Sequence, residues 1–484
     1  MNHAAFRRGR TAASVLAVLA VLGAVSSGSA LAQQAPQPAW AWKSGDLALD
    51  AGLETYTAFY SMSGTWWNLA ATSAPTFDKS RSFTELWVHP RLNGRFRLDG
   101  TTEAYGTLSV GATKTIGADA FDYRDESAVR FGSAMLGVRG QAGGVRYDVS
   151  AGRQPFMLGT GMLLVMGSGN GYSWGGGAST QRKAWGRTAL ARAGSGEFTA
   201  SAFQLEPDEA PEGRTDTKVR GVALEWARPQ MGRAGLSWFT VPRSNSIYPG
   251  DLAPLAFIEQ GREGLDTWYG WADITGLVPG VPTLGLRAEY AQQRNDITRT
   301  GGRRDPMKAS AWLLGASWWG QKLPFAPKFS YHVARFSGDK PGTATYERFD
   351  PMFWGNGLEN WWFGANGAYS WLNANLRAQR FIVDAYFSQQ DIIQFQYVRA
   401  SVDQLNSAVQ FGQGVRFTAN GLLVGVPQAK LSDELYLQYV RVFNPNLVAI
   451  AFVARSSPGA GLKATAPQGT QAWTTFGLGL TANF

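Results

Sequence analysis

The chain has no cysteine, and of its three histidines only His89 and His332 lie beyond the first few residues. Neither a disulfide framework nor a thiolate metal or redox centre can be built. Two histidines are too few for a histidine-rich metal site, and no Gly-x-Ser-x-Gly elbow accompanies them, so no metal, cofactor or enzymatic activity is expected. Beyond Val25, no stretch reaches the roughly 18 to 20 uninterrupted apolar residues of a spanning helix. Carboxylate pairs such as Asp433-Glu434 fall on opposite faces of a strand and form no acid/base pair. The glycines Gly167, Gly169 and Gly171 are followed by neither a helix nor a Lys-Ser/Thr pair, which argues against a phosphate cradle. Nucleic acid is not an expected partner.

What is present points to a membrane reached through secretion. Arg7, Arg8 and Arg10 precede an apolar run from Ala12 to Val25 and then Ala30-Leu31-Ala32, the pattern of a cleaved signal peptide over residues 1–32. The remaining domain, 33–484, has 484 − 32 = 452 residues, and its formal charge falls from +9 to 9 − 3 = +6. With 58 Gly and 62 aromatic residues (Trp 19, Tyr 16, Phe 27), the composition suits a wall in which only alternate residues meet lipid. The final segment shows that alternation: Ala472, Thr474, Phe476, Leu478, Leu480, Ala482 and Phe484 on one face, Thr475, Gly477, Gly479, Thr481 and Asn483 on the other. A strand of this kind ending on an aromatic fits the last strand of an outer-membrane barrel, with barrel-assembly machinery as the partner that takes up the end at Phe484. A soluble β-sandwich edge is the competing reading.

Turn chemistry divides the domain. Short breaks are expected at Asp99-Gly100, Gly143-Gly144, Gly194-Ser195-Gly196, Arg228-Pro229-Gln230, Pro279-Gly280-Val281-Pro282, Lys322-Leu323-Pro324, Ala378-Gln379-Arg380 and Asn444-Pro445-Asn446. Longer loops are expected near 61–82, 117–127, 157–181, 206–216, 244–263, 294–307, 338–363, 388–430 and 456–469. Eight turns and nine loops predict an all-β, transmembrane antiparallel β-barrel of about 18 strands, with short periplasmic turns and long extracellular loops. Gln33 to Lys43 reads as a periplasmic lead-in.

Candidate functional residues follow from the strand period. Between 84 and 98, Leu86, Val88, Pro90, Leu92, Phe96 and Leu98 share one face, and Glu85, His89, Arg91, Asn93, Arg95 and Arg97 the other. Three guanidinium groups at alternate positions in a confined aqueous lumen make a track for carboxylate or phosphate groups. Pairing of these arginines with Glu85, Glu103 or lipid head groups is the bland alternative. Arg153, Arg187, Arg287 and Glu289 extend the candidate lumen set. The apolar, glycine-rich stretch 157–180 would be costly in water, so it is expected to fold into the barrel. Trp87, Trp185, Trp226, Trp238, Trp312, Trp318 and Trp371 are read as interface girdles, with outer-membrane lipids as their partner.

Three stretches carry a family resemblance: Ala151-Gly152-Arg153-Gln154, Gly338-Asp339-Lys340-Pro341 through Arg348-Phe349-Asp350-Pro351-Met352-Phe353, and Ser432-Asp433-Glu434-Leu435 leading to Pro458-Gly459-Ala460-Gly461-Leu462-Lys463. They resemble the alginate-export family of bacterial outer-membrane proteins. That resemblance implies an 18-stranded barrel with an arginine-lined constriction, Arg153 among its residues, passing an anionic polysaccharide outward. The expectation is a passive outer-membrane channel for an anionic saccharide or organic-acid solute. The alternatives are an uptake porin for small solutes and a barrel used for adhesion or, through His89, for lipid hydrolysis.

Overall fold

The computed structural model describes residues 38–66, 79–120, 124–165, 175–176, 184–209, 214–252, 255–278, 280–299, 302–355, 361–366, 370–409, 416–417, 423–465 and 471–484. The expected signal segment 1–32 lies outside them.

Nineteen strands make one antiparallel sheet. Eighteen of them form the cylinder: β1 (Leu47–Ser63), β2 (Arg81–Arg97), β3 (Thr102–Gly117), β4 (Ser127–Ala142), β5 (Val145–Gln154), β6 (Trp185–Ser195), β7 (Phe198–Glu206), β8 (Lys218–Arg228) and β9 (Gly232–Arg243). The circuit continues with β10 (Asp266–Thr275), β11 (Leu284–Thr298), β12 (Arg304–Trp319), β13 (Lys328–Phe336), β14 (Leu376–Tyr386), β15 (Asp391–Ser401), β16 (Lys430–Asn444), β17 (Leu447–Pro458) and β18 (Trp473–Asn483). Pairing of β1 with β18, from Glu54↔Asn483 to Ser63↔Thr474, closes the sheet. The nineteenth strand is Trp40–Ser44 in the lead-in.

Period-two alternation separates lipid from lumen. On the outside stand Leu86, Val88, Leu92, Phe96, Val129, Leu136, Leu478 and Leu480, with Leu136 76% and Val129 72% exposed. The protein is therefore an outer-membrane barrel whose outer surface is meant for hydrocarbon. At the closing seam Gly477 and Gly479 face inward because neighbouring rings lie across them: a Cβ would meet the Phe452 ring at 2.1 Å and the Tyr56 hydroxyl at 2.9 Å. Pro90 is tolerated inside β2 where the β2–β3 ladder lapses between Val88↔Ala112 and Arg91↔Ser109, beside a register shift in β3–β4.

Seven of the eight expected turns fall between strands. The exception is Ala378-Gln379-Arg380, which is the middle of β14; the turn there is Phe387-Ser388-Gln389-Gln390. Polar side chains misled the reading because Arg380 and Asp384 face inward, at 2% exposure each. In consequence the loop expected at 388–430 contains β15 and shrinks to 402–429, and the loop expected at 338–363 runs on to 375. The strand count survives because the two errors offset each other. Three of the expected girdle tryptophans are interior instead: Trp87, Trp185 and Trp371 are 5%, 0% and 0% exposed.

Candidate functional site: the lumen and its inward loops

The lumen is partly filled by two extracellular connections. In the first, between β5 and β6, Met162, Leu163 and Leu164 are fully buried, as its apolar sequence requires. In the second, between β13 and β14, Trp361, Phe363 and Trp371 are buried as well. The two are tied by backbone bonds: Val165 N–H to the Phe353 carbonyl and Phe353 N–H to that of Leu163, both at 2.9 Å, with Gly355 bonded to Gly161.

The second loop runs across the inner faces of β11 to β18. Trp361 lies under the Arg287 guanidinium, 4.7 Å from its ring centroid, and donates its indole N–H to the Thr160 carbonyl at 3.1 Å. Arg380 donates to the Trp362 carbonyl at 3.0 Å and sits over the Phe363 ring. Farther round, Glu434 accepts the Ala365 backbone N–H and the Trp371 indole N–H, both at 2.6 Å, along with the hydroxyls of Ser432 and Ser456. Asn366 reaches Ser456 at 2.7 Å. Polar wall residues here hold a loop.

At its extracellular base the same loop is pinned by Asp350. Arg262 grips that carboxylate with Nε at 2.6 Å and Nη2 at 2.9 Å, and the Tyr248 hydroxyl donates at 2.7 Å. Burial alone would raise the Asp350 pKa, but the Arg262 charge and these donors outweigh it and hold the carboxyl below its usual range. A depressed folded-state pKa contributes stability above the unfolded value of about 4, lost as pH falls through the folded value. Lowering the pH from 6 to below 4 is therefore expected to loosen the loop, seen as faster proteolysis within 337–375. An Asp350→Asn variant should lose that acid-dependent step.

The candidate residues divide under this arrangement. Arg91, Arg95 and Arg97 stand on the inward face of the periplasmic half of β2, and all three are exposed. None is ion-paired among the described residues, because Glu103 is taken by Arg139 (Nε to Oε1, 2.5 Å) and Asp50 by the Asn93 amide (2.6 Å). Arg91 lies over Gly52 of β1, where a Cβ would meet its Nη2 at 3.1 Å.

The other candidates are not on that track. Arg287 and Glu289 face inward but are closed off beneath Trp361, with side chains 9% and 0% exposed. Glu289 is saturated by Arg287, Thr160 and Tyr269. Glu85 is buried nearer the extracellular end of β2. Arg153 sits at a bulge, with Asp208 at 2.7 Å. Arg187 is on the outer face at the extracellular rim: its side chain is 81% exposed and pairs with Glu206, which also holds Lys218. The bulge between β5 and β6 brings both Trp185 and Thr188 inward, so simple alternation assigns Arg187 to the wrong side.

Sequence reasoning missed Thr160, Trp361, Arg380 and Glu434. Only Glu434, in the alternating stretch 430–444, carried a signal, since a charge on an inward face needs partners.

No family model matches the sequence, and no curated relative does. Among solved structures, OccAB2 of Acinetobacter baumannii superposes with a TM-score of 0.54 at 11% identity, covering 90% of this chain and 98% of that one. A BenF-like porin from Pseudomonas fluorescens Pf-5 gives 0.52 at 11% identity, over 90% and 98%.

The chain has the fold of an outer-membrane porin.

The expected kinship with alginate exporters is corrected by these matches. Its short motifs have local structural explanations: Gly152, at φ +121°, permits the β5 bulge, and Arg348 and Asp350 are loop anchors.

Proposed function

We propose that this porin is a passive channel for the uptake of small anionic solutes, carboxylates foremost. The observation that supports it is the row Arg91, Arg95 and Arg97, exposed and without an ion pair among the described residues, on a wall facing a lumen narrowed by two loops. Successive inward groups on one strand are about 7 Å apart, so a carboxylate passes between Arg95 and Arg97 without leaving both. Weak, closely spaced sites of this kind lower the entry barrier without trapping the solute. The inward loops favour small solutes over a polymer, and no covalent chemistry is required.

Liposome swelling tests the proposal. Proteoliposomes should admit small monocarboxylates and dicarboxylates faster than neutral sugars of equal size, and the difference should shrink at high salt as the arginines are screened. Equal rates at low ionic strength would reject the anionic assignment.

A further inference from the structure

The lead-in strand Trp40–Ser44 lies just below the point where the pairing of β1 with β18 ends. β1 outlasts its closing partner: the last ladder pair is Glu54↔Asn483, and Phe484 exchanges two backbone hydrogen bonds of 2.8 Å with Leu53. Below that point the seam-side edge of β1 down to Leu47 has no strand from β18. An open edge at a bilayer surface leaves donors and acceptors unsatisfied and offers a template for wrong pairing.

The lead-in covers that edge. The chain turns tightly at Gly45, at φ +56°, and pairs Trp40↔Ala51, Ala41↔Asp50, Trp42↔Leu49, Lys43↔Ala48 and Ser44↔Leu47. It thus continues the row of β18 beyond Phe484. Alternation places Trp40 and Trp42 on the face of Ala51, Leu49 and Leu47, which is the lipid face, since Leu47 pairs with the outward Phe96. Ala41 and Lys43 share the opposite face. Trp40 and Trp42 are 48% and 44% exposed, beside Phe96 and Phe484 at 48% each.

We propose that Trp40–Ser44 is a membrane-seated clamp on the closure seam, with both indoles held in the head-group interface of the periplasmic leaflet. The partner is the glycerophospholipid surface. Continuity with the barrel's outer apolar face argues for it, and an indole suits that depth because its ring is apolar and its N–H is a donor.

The chain's lack of cysteine makes the test direct. Trp40→Cys, Ala41→Cys, Trp42→Cys and Lys43→Cys, each in the full chain and nitroxide-labelled in phospholipid vesicles, are compared for collision with oxygen and with a nickel chelate. Positions 40 and 42 should favour oxygen, and 41 and 43 nickel. Equal, high nickel accessibility at all four would overturn the proposal. In parallel, the joint change Trp40→Ser with Trp42→Ser should lower the temperature at which the folded band is lost on electrophoresis, and Trp40→Phe with Trp42→Phe should restore most of it. An unchanged temperature in the serine variant would reject the clamp.

Discussion

Replacing Arg91, Arg95 and Arg97 together by alanine is expected to abolish anion preference, read as a shift of the reversal potential in a salt gradient across a planar bilayer. An ion about 7 Å from one guanidinium gains about 0.6 kcal/mol even at the dielectric of water, and the low-dielectric wall increases that figure. An ion between Arg95 and Arg97 feels both and gains about 1.2 kcal/mol, roughly eightfold in relative permeability, and Arg91, about 13 Å farther along the strand, extends the track. Because the three have no ionic partner among the described residues, their removal strands no buried carboxylate, and the barrel should fold as before. Measurement at low salt is essential, since the Debye length is about 10 Å at 0.1 M. Arg287→Ala is the informative contrast: that side chain lies behind Trp361 and serves Glu289, so it should disturb the loop without removing anion preference. If the triple variant kept the wild-type reversal potential, the track on β2 would not be the selective element.

Much of this was legible in the sequence because a barrel wall is written one residue at a time. The facing of Leu86, Val88 and Leu92 against Arg91, Arg95 and Arg97 needs only the period of two, and the turn at Asp99-Gly100 needs only local chemistry. There the Asp99 carboxylate accepts from the backbone N–H groups of Thr101 and Thr102. Alternation fails where a bulge inserts a residue, as before Arg187, and where a charged inward side chain imitates a break, as at Arg380. It is silent about what covers a wall residue. Arg287 and Arg95 have the same pattern in sequence, yet one is roofed by Trp361 and the other faces an open lumen, because a loop from a distant part of the chain crosses one side only. The apolar composition announced the burial seen at residues 158–165; the loop 337–375, richer in charge, gave no such signal, since its aspartates pair with Arg262 and Arg299 from two other extracellular connections.

That unannounced loop carries the other large effect. Glu434→Ala is expected to release it from the wall and raise conductance. The glutamate collects the Ala365 backbone N–H, the Trp371 indole and the hydroxyls of Ser432 and Ser456, with Ser370 farther off at 3.5 Å; its loss leaves the buried Ala365 N–H without that acceptor, whereas the Trp371 indole still has the Ser432 hydroxyl at 3.2 Å. A stranded donor costs about 1–3 kcal/mol, so docking weakens by about 2 kcal/mol. A change of that size shifts the balance between docked and undocked loop by about thirtyfold. Single-channel recordings should then show a second, larger level with long dwell times, together with faster entry of neutral sugars in swelling assays. Glu434→Gln keeps one acceptor oxygen for the indole and should fall between. The Trp66, Trp371 and Trp473 rings, 5.7 to 5.8 Å apart around Trp66, stay packed in both variants and oppose full detachment, which is why a second level is expected and not a permanently open pore. An alanine variant with the unitary conductance and dwell times of the parent would mean that the loop does not limit the passage, and the narrow point would have to be sought among the extracellular connections.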